Sequence, residues 1–201
     1  MKRIRWRIQP MAFAVILWML LTDRGGVALM TLTAAILHEA GHILAAVLLR
    51  VPLRALRMDL LGARLDVSGR VLSYGEEWIL CAAGPLTSLT LAALASLLWG
   101  VTPYAVTFSC ASLILGLLNL LPIRTFDGGR MLETFLRAYC SERVLRVLMC
   151  ATTFSFLFLL WAIAVYFLLR ANDGVSLLCF SMSLFSRFFD GTEDGCFSNS
   201  G

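Results

Sequence analysis

Apolar residues in this chain come in long unbroken runs, not in the narrow stripe of a water-facing helix. Runs cover residues 10–21, 25–49, 78–99, 104–121 and 144–169, and a shorter one at 175–189 is interrupted by Arg187. A helix needs about 20 apolar residues at 1.5 Å each to cross a bilayer. The pattern therefore predicts five membrane spans, the first of them short, and leaves a sixth at 175–189 open. Residues 53–71 break the pattern. There Leu56, Met58 and Leu60 alternate with Arg57 and Asp59, and beyond Gly62 the residues Ala63, Leu65 and Val67 alternate with Arg64, Asp66 and Ser68. Period two around a glycine predicts a short β-hairpin at the membrane surface.

The punctuation fits these runs. Arg50 and Pro52 end the second run, and Gly84-Pro85 in the third marks a kink or a close approach to a neighbouring helix. Pro122 breaks the chain after the fourth, Gly128-Gly129 follows, and a further helical stretch is predicted over 131–139. Lys2, Arg3, Arg5 and Arg7 precede the first run as in a signal peptide, but no small-residue cleavage site follows, so an uncleaved anchor is expected. The polar segment 190–201 is expected to be a disordered tail. Residues 1–189 then form a single membrane-embedded domain.

Composition sharpens the class. The 201 residues are 59% hydrophobic and 15% charged, with mean hydropathy +0.82, where soluble domains carry about 25% charged residues. The fold class is an all-α polytopic membrane bundle of about five to six transmembrane helices. The six cysteines form no C-x-x-C pair, so they read as small apolar residues and not as a disulfide or zinc framework. A net charge of +4 makes no case for nucleic acid. Its placement is more telling. With the N-terminus cytoplasmic and all six runs spanning, only Arg24 and Arg170 face outward, which follows the positive-inside rule.

Chemistry concentrates in the second run, at His38-Glu39-Ala40-Gly41-His42. Residues four apart share a helix face, so His38 and His42 can grip one metal ion, with Glu39 beside them as a general base. They are the chain's only histidines, and ionisable residues at membrane depth are costly enough to suggest function. A catalytic zinc normally has three protein ligands. With no third histidine, the remaining ligand should be a carboxylate: Asp127, flanked by glycines after the broken span, or Glu133, on the helix beyond. The chemistry is metal-assisted hydrolysis, with Glu39 taking the proton of water and passing it to the leaving amine. A helical substrate must unwind first, and the edge of the hairpin could hold it extended by strand addition.

These features together resemble the site-2 intramembrane zinc proteases. The resemblance rests on His38 to His42 in one span, Gly84-Pro85 in the next, and Asn119 through Pro122 to Asp127-Gly128-Gly129 after another, and covers residues 27–137. It implies one Zn2+ held by His38, His42 and Asp127, with Glu39 as base. It also implies that Asn119, with Gly84 and Pro85, lies behind the ligands or against the substrate. A membrane-associated protein substrate in the lipid bilayer of a bacterial cell is implied, and a regulatory membrane partner is compatible with it. The short loops look most like the branch of the stage IV sporulation protease, which processes a membrane-associated pro-sigma factor. Ser88 departs from the asparagine that many relatives carry after Gly-Pro, and no nucleotide-sensing CBS domain is expected after the last span. The rival readings are an inactive scaffold, which would typically have lost Glu39 or a ligand, and a zinc transporter, which would want further ligands along a crossing path.

Overall fold

A computed structural model of the chain describes residues 5–8, 21, 23, 25–51, 53–59, 62–67, 72–171 and 175–193. The expected first span, 10–21, falls almost wholly outside them. Among the described residues there are six helices and three strands: β1 Arg5–Ile8, α1 Val27–Leu48, β2 Leu53–Asp59, β3 Gly62–Val67, α2 Tyr74–Ser96, α3 Pro103–Asn119, α4 Asp127–Arg137, α5 Glu142–Ala171 and α6 Val175–Glu193. The chain divides into two compact units, Met1–Asn119 and Leu120–Gly201.

In the first unit α1, α2 and α3 pack against one another. Asp23 starts α1. Its Oδ1 accepts from the N–H groups of Gly25 and Val27, and its Oδ2 from Leu29, satisfying donors that a helix start leaves over. Gly26 precedes the helix at φ 72, and a Cβ there would also lie 2.7 Å from Cε1 of Tyr104. The far end closes with a Schellman motif: Arg50 N–H donates to the Val47 carbonyl (3.0 Å) and Val51 N–H to Ala46 (2.8 Å). Arg50 takes the left-handed conformation, φ 53. Val51 is thereby buried against Ala45, Ala46 and Leu80.

A capping box starts α2. Ser73 N–H donates to Glu76 Oε2 (3.0 Å) and Glu76 N–H donates to Ser73 Oγ (3.2 Å). Pro85 lies inside this helix. The buried positions of α1 are Ala34, His38, Gly41, His42, Ala45 and Ala46, a stripe at helical spacing. Gly41 is required there, because a Cβ would press on Thr87 Cβ at 2.9 Å and the Ala83 carbonyl at 3.0 Å.

The interior of this unit is small and the exterior large. Ala82, Ser88, Ala92, Ala95, Ala105, Ser109 and Ser112 are buried, whereas Leu44, Val47, Leu48, Leu86, Leu94 and Ile114 are exposed. That inversion suits helices whose outer faces meet lipid and whose contacts depend on close packing. Among the described residues, three helices are long and apolar enough to cross a membrane: α1, α2 and residues 142–170 of α5; α3, at 17 residues, is shorter.

β2 pairs antiparallel with β3, Asp59 opposite Gly62 and Leu53 opposite Val67, with an irregularity between Leu53 and Ala55. β1 joins β2 in parallel, Arg5 opposite Ala55 and Ile8 opposite Met58. The sequence reading assigns Arg5 and Arg7 to a basic leader. Their segment instead supplies a third strand and covers one edge of β2.

In the second unit α4 packs on α5 and α5 on α6. Leu145, Met149, Leu157, Leu160, Ala164 and Leu184 are buried, and Phe154 meets Phe158, Phe185 and Phe188. Residues 175–189, left open as a span, form one helix that continues to Glu193, past the expected start of the tail; its apolar part is only residues 177–186. Among the described cysteines, Cys110, Cys140 and Cys179 are free thiols, while Cys150 is disulfide-bonded. That pairing differs from the purely apolar role expected of it.

Candidate metal centre

α1 brings its two histidines one above the other. The rings lie 5.0 Å apart, edge to face, and are 3% and 7% exposed. α2, running antiparallel alongside, fixes both from behind. His42 Nδ1 is 2.7 Å from the Leu80 carbonyl. A carbonyl oxygen only accepts, so Nδ1 carries the proton and Nε2 keeps its lone pair. His38 Nδ1 is 2.9 Å from Ser88 Oγ.

Between those anchors lies Gly84. A Cβ on Gly84 would lie 2.7 Å from His38 Nε2 and clash with His42 Nε2. Both Nε2 atoms therefore face one small gap, which exists because residue 84 has no side chain. Leu80, Gly84 and Ser88 recur every four residues on one face of α2. The sequence reading takes Gly84-Pro85 as a kink or approach point. The close approach is there, and its object is the histidine pair.

Asp127 opens α4, after Phe126 in extended conformation (φ −101, ψ 164). The preceding loop folds back on the helix start. A Cβ on Gly128 would lie 2.4 Å from the carbonyl carbon of Leu120, and one on Gly129 2.4 Å from that of Ile123. Only glycines permit that approach. Ile123 and Phe126 are buried, and Arg124 N–H donates to Thr153 Oγ1 of α5 at 3.2 Å. The loop that carries Asp127 is thus pinned on both sides.

Ligand atoms of His38, His42 and Asp127 all lie within 4.8 Å of one another, so the three could hold a metal ion. Two imidazoles and a carboxylate, buried or half-buried, form a donor set suited to zinc with one position left open. Glu133, the alternative ligand, has its Oε1 accepting from Arg137 Nη2 at 2.7 Å, one turn along α4. Glu39 is half-buried beside the pair. Asn119, at the end of α3, is half-buried and its Nδ2 donates to the Leu115 carbonyl at 3.0 Å. Sequence reasoning missed Leu80, and it noted Ser88 only as a departure from the asparagine of many relatives, not as a partner of His38. A backbone carbonyl leaves no mark in the sequence, but Ser88 carries one, a hydroxyl four residues after Gly84 on the face that meets the histidines.

Residues 94–162 match the model of Peptidase family M50. The chain is 35% identical over 133 residues to Rip3 of Mycobacterium tuberculosis, described as a zinc metalloprotease, in strains Erdman and H37Rv; the match covers 61% of this chain and 33% of that protein. The chain therefore spans about a third of the length of that relative. Its fold is similar to that of a site-2 protease from Methanocaldococcus jannaschii, with a TM-score of 0.65 at 20% identity, covering 95% of this chain and 88% of the other.

Proposed function

We propose that this chain, which carries a Peptidase family M50 domain, is a zinc-dependent endopeptidase that cuts a protein substrate within or beside the membrane. The observation that carries the reading is the convergence of both Nε2 atoms on the gap at Gly84, with Asp127 in ligand range. Bound there, zinc would polarise the scissile carbonyl and acidify a water. His38, His42 and Asp127 would hold it. Glu39, one residue from His38, would take the water's proton and deliver it to the departing amine. Asn119, Gly84 and Pro85 would line the substrate side or back the ligands. The small-residue interior of α1, α2 and α3 supports enclosure of a polar site away from lipid.

The finer points belong to the same proposal. The protease domain is residues 1–189 with its core at 27–137. The protein is multi-pass in a bacterial cell membrane, N-terminus and site opening toward the cytoplasm, as the arginine distribution favours. The substrate is extended by pairing with an edge of the sheet; among the described strands β1 covers one side of β2, so the edge of the hairpin left to it is the outer edge of β3. A membrane-tethered pro-sigma factor, as in the sporulation branch, is a substrate of fitting form.

Two experiments test this. Co-expression with single-span and pro-sigma substrates should give cleavage that Glu39→Gln abolishes while bound zinc is retained; undiminished cleavage by that variant removes the base. Metal content then decides the ligand. Asp127→Ala should lose zinc and Glu133→Ala keep it, and the reverse result would transfer the assignment to Glu133.

A further inference from the structure

Both rings of the histidine pair are held from behind by α2, but by partners of different kinds. The Leu80 carbonyl can only accept, and so it dictates the tautomer of His42. A serine hydroxyl can donate or accept. If Ser88 Oγ donated to His38 Nδ1, the ring would carry its proton on Nε2 and point an N–H into the gap at Gly84. If Oγ accepts, the proton stays on Nδ1 and Nε2 offers its lone pair there. Ser88 and His38 are 1% and 3% exposed, so no bulk water competes for this 2.9 Å contact. We propose that Ser88 is the positioning residue for His38: its Oγ accepts from Nδ1–H, fixes the ring's angle and tautomer, and keeps Nε2 available to a divalent ion. The inference rests on the reading of His38 and His42 as metal ligands.

Behind it stands the four-residue stripe of α2. Leu80 O serves His42, Gly84 leaves room for the two Nε2 atoms, and Ser88 Oγ serves His38. In antiparallel order along α1, Leu80 meets His42 and Ser88 meets His38, with Gly84 between them. Hydrogen bonds of this kind to ligating imidazoles orient the ring and raise its basicity, and their loss typically costs about 10–100-fold in metal affinity.

The test uses the full chain in detergent, stripped of metal and titrated with Co2+ and Zn2+. Ser88→Ala should bind both ions about 10–100-fold more weakly, with an altered Co2+ visible spectrum, while the metal-free protein keeps its helix content. Ser88→Thr, which restores the hydroxyl, should return affinity and spectrum toward wild type. Wild-type affinity and spectrum in Ser88→Ala overturn the proposal, as does equal weakness in the Ala and Thr variants. Should Ser88→Ala not fold, 15N-histidine NMR of the zinc-loaded wild type decides, because only two rings report. A proton on His38 Nδ1 supports the proposal and one on Nε2 sinks it. Wild-type protein that binds neither ion overturns the metal reading itself, which is a separate failure.

Discussion

At the scale of single residues, the centre depends as much on an absent atom as on its ligands. His38, Glu39 and His42 can be read directly from the sequence, since a spacing of four puts two imidazoles on one helix face whatever else the chain does. Gly84 can be read only as a place of close approach, because a glycine does not say what approaches it. The structure supplies the answer, two imidazole nitrogens. Gly84→Ala should therefore abolish zinc binding, measured by metal analysis of the purified protein, with far-ultraviolet circular dichroism unchanged. A methyl in place of hydrogen favours a helix interior by about 0.8–1.0 kcal/mol, so a loss of metal there would not reflect a weakened helix. Stoichiometric zinc in Gly84→Ala would show that the ion lies elsewhere. Glu133 illustrates the opposite limit: its type and position fit a ligand, but its ion pair with Arg137 is local and could be foreseen only once the α4 helix was granted.

At the scale of elements, the ends of α1 set the height of the site. The Schellman turn at Arg50 seats Val51 on Leu80, and Leu80 is the residue whose carbonyl orients His42. Arg50 pays for this turn with a left-handed backbone, φ 53, a conformation that costs an L-residue about 1–2 kcal/mol. Arg50→Gly should stabilise the folded protein by about 0.5–1 kcal/mol after the added chain entropy of glycine, seen as a higher thermal midpoint in detergent. A lower midpoint would mean that the exposed arginine makes a contact worth more than the strain. At the other end, desolvation works to raise the Asp23 carboxyl, but N–H groups of Leu29, Gly25, Val27 and Ala28 outweigh it and hold the carboxyl below the usual aspartate range. A depressed carboxylate contributes fully above its unfolded value of 3.8 and progressively less as pH falls through the lower folded value. Thermal midpoints should thus decline below about pH 4, and Asp23→Asn should flatten that decline. Equal acid slopes in the two proteins would assign the decline to other groups. The segment hardest to read was β1. Arg5-Trp6-Arg7-Ile8 alternates as a strand should, but four residues with two arginines ahead of an apolar run look equally like a leader. Its role is set by a parallel partner some fifty residues away.

At the scale of the molecule, composition and burial tell one story from two sides. A chain this apolar cannot hide all its large side chains inside, and the helices of the first unit hide few of them: alanine, serine and glycine dominate their inner faces while leucine and valine face out. The sequence shows the apolar surplus. It does not show which face of each run turns inward, because runs apolar all round carry little periodic signal. Such an interior buries little large apolar side-chain area of its own, so a bound ion should matter to its stability. The proposed ligands come from points far apart in the chain, and the unfolded chain has no preformed site. Binding free energy then becomes folding free energy. At a free zinc concentration a thousandfold above the dissociation constant, the gain is about 4 kcal/mol. Stripping the metal with a membrane-permeant chelator should lower the thermal midpoint of the wild-type protein in detergent, and readded Zn2+ should restore it. His38→Ala and Asp127→Ala should start near the stripped midpoint and respond to neither treatment. A chelator that removes zinc from the wild type without moving its midpoint would mean that the ion joins a site already rigid without it, and the coupling between metal and fold would fail even if the proposed cleavage were observed.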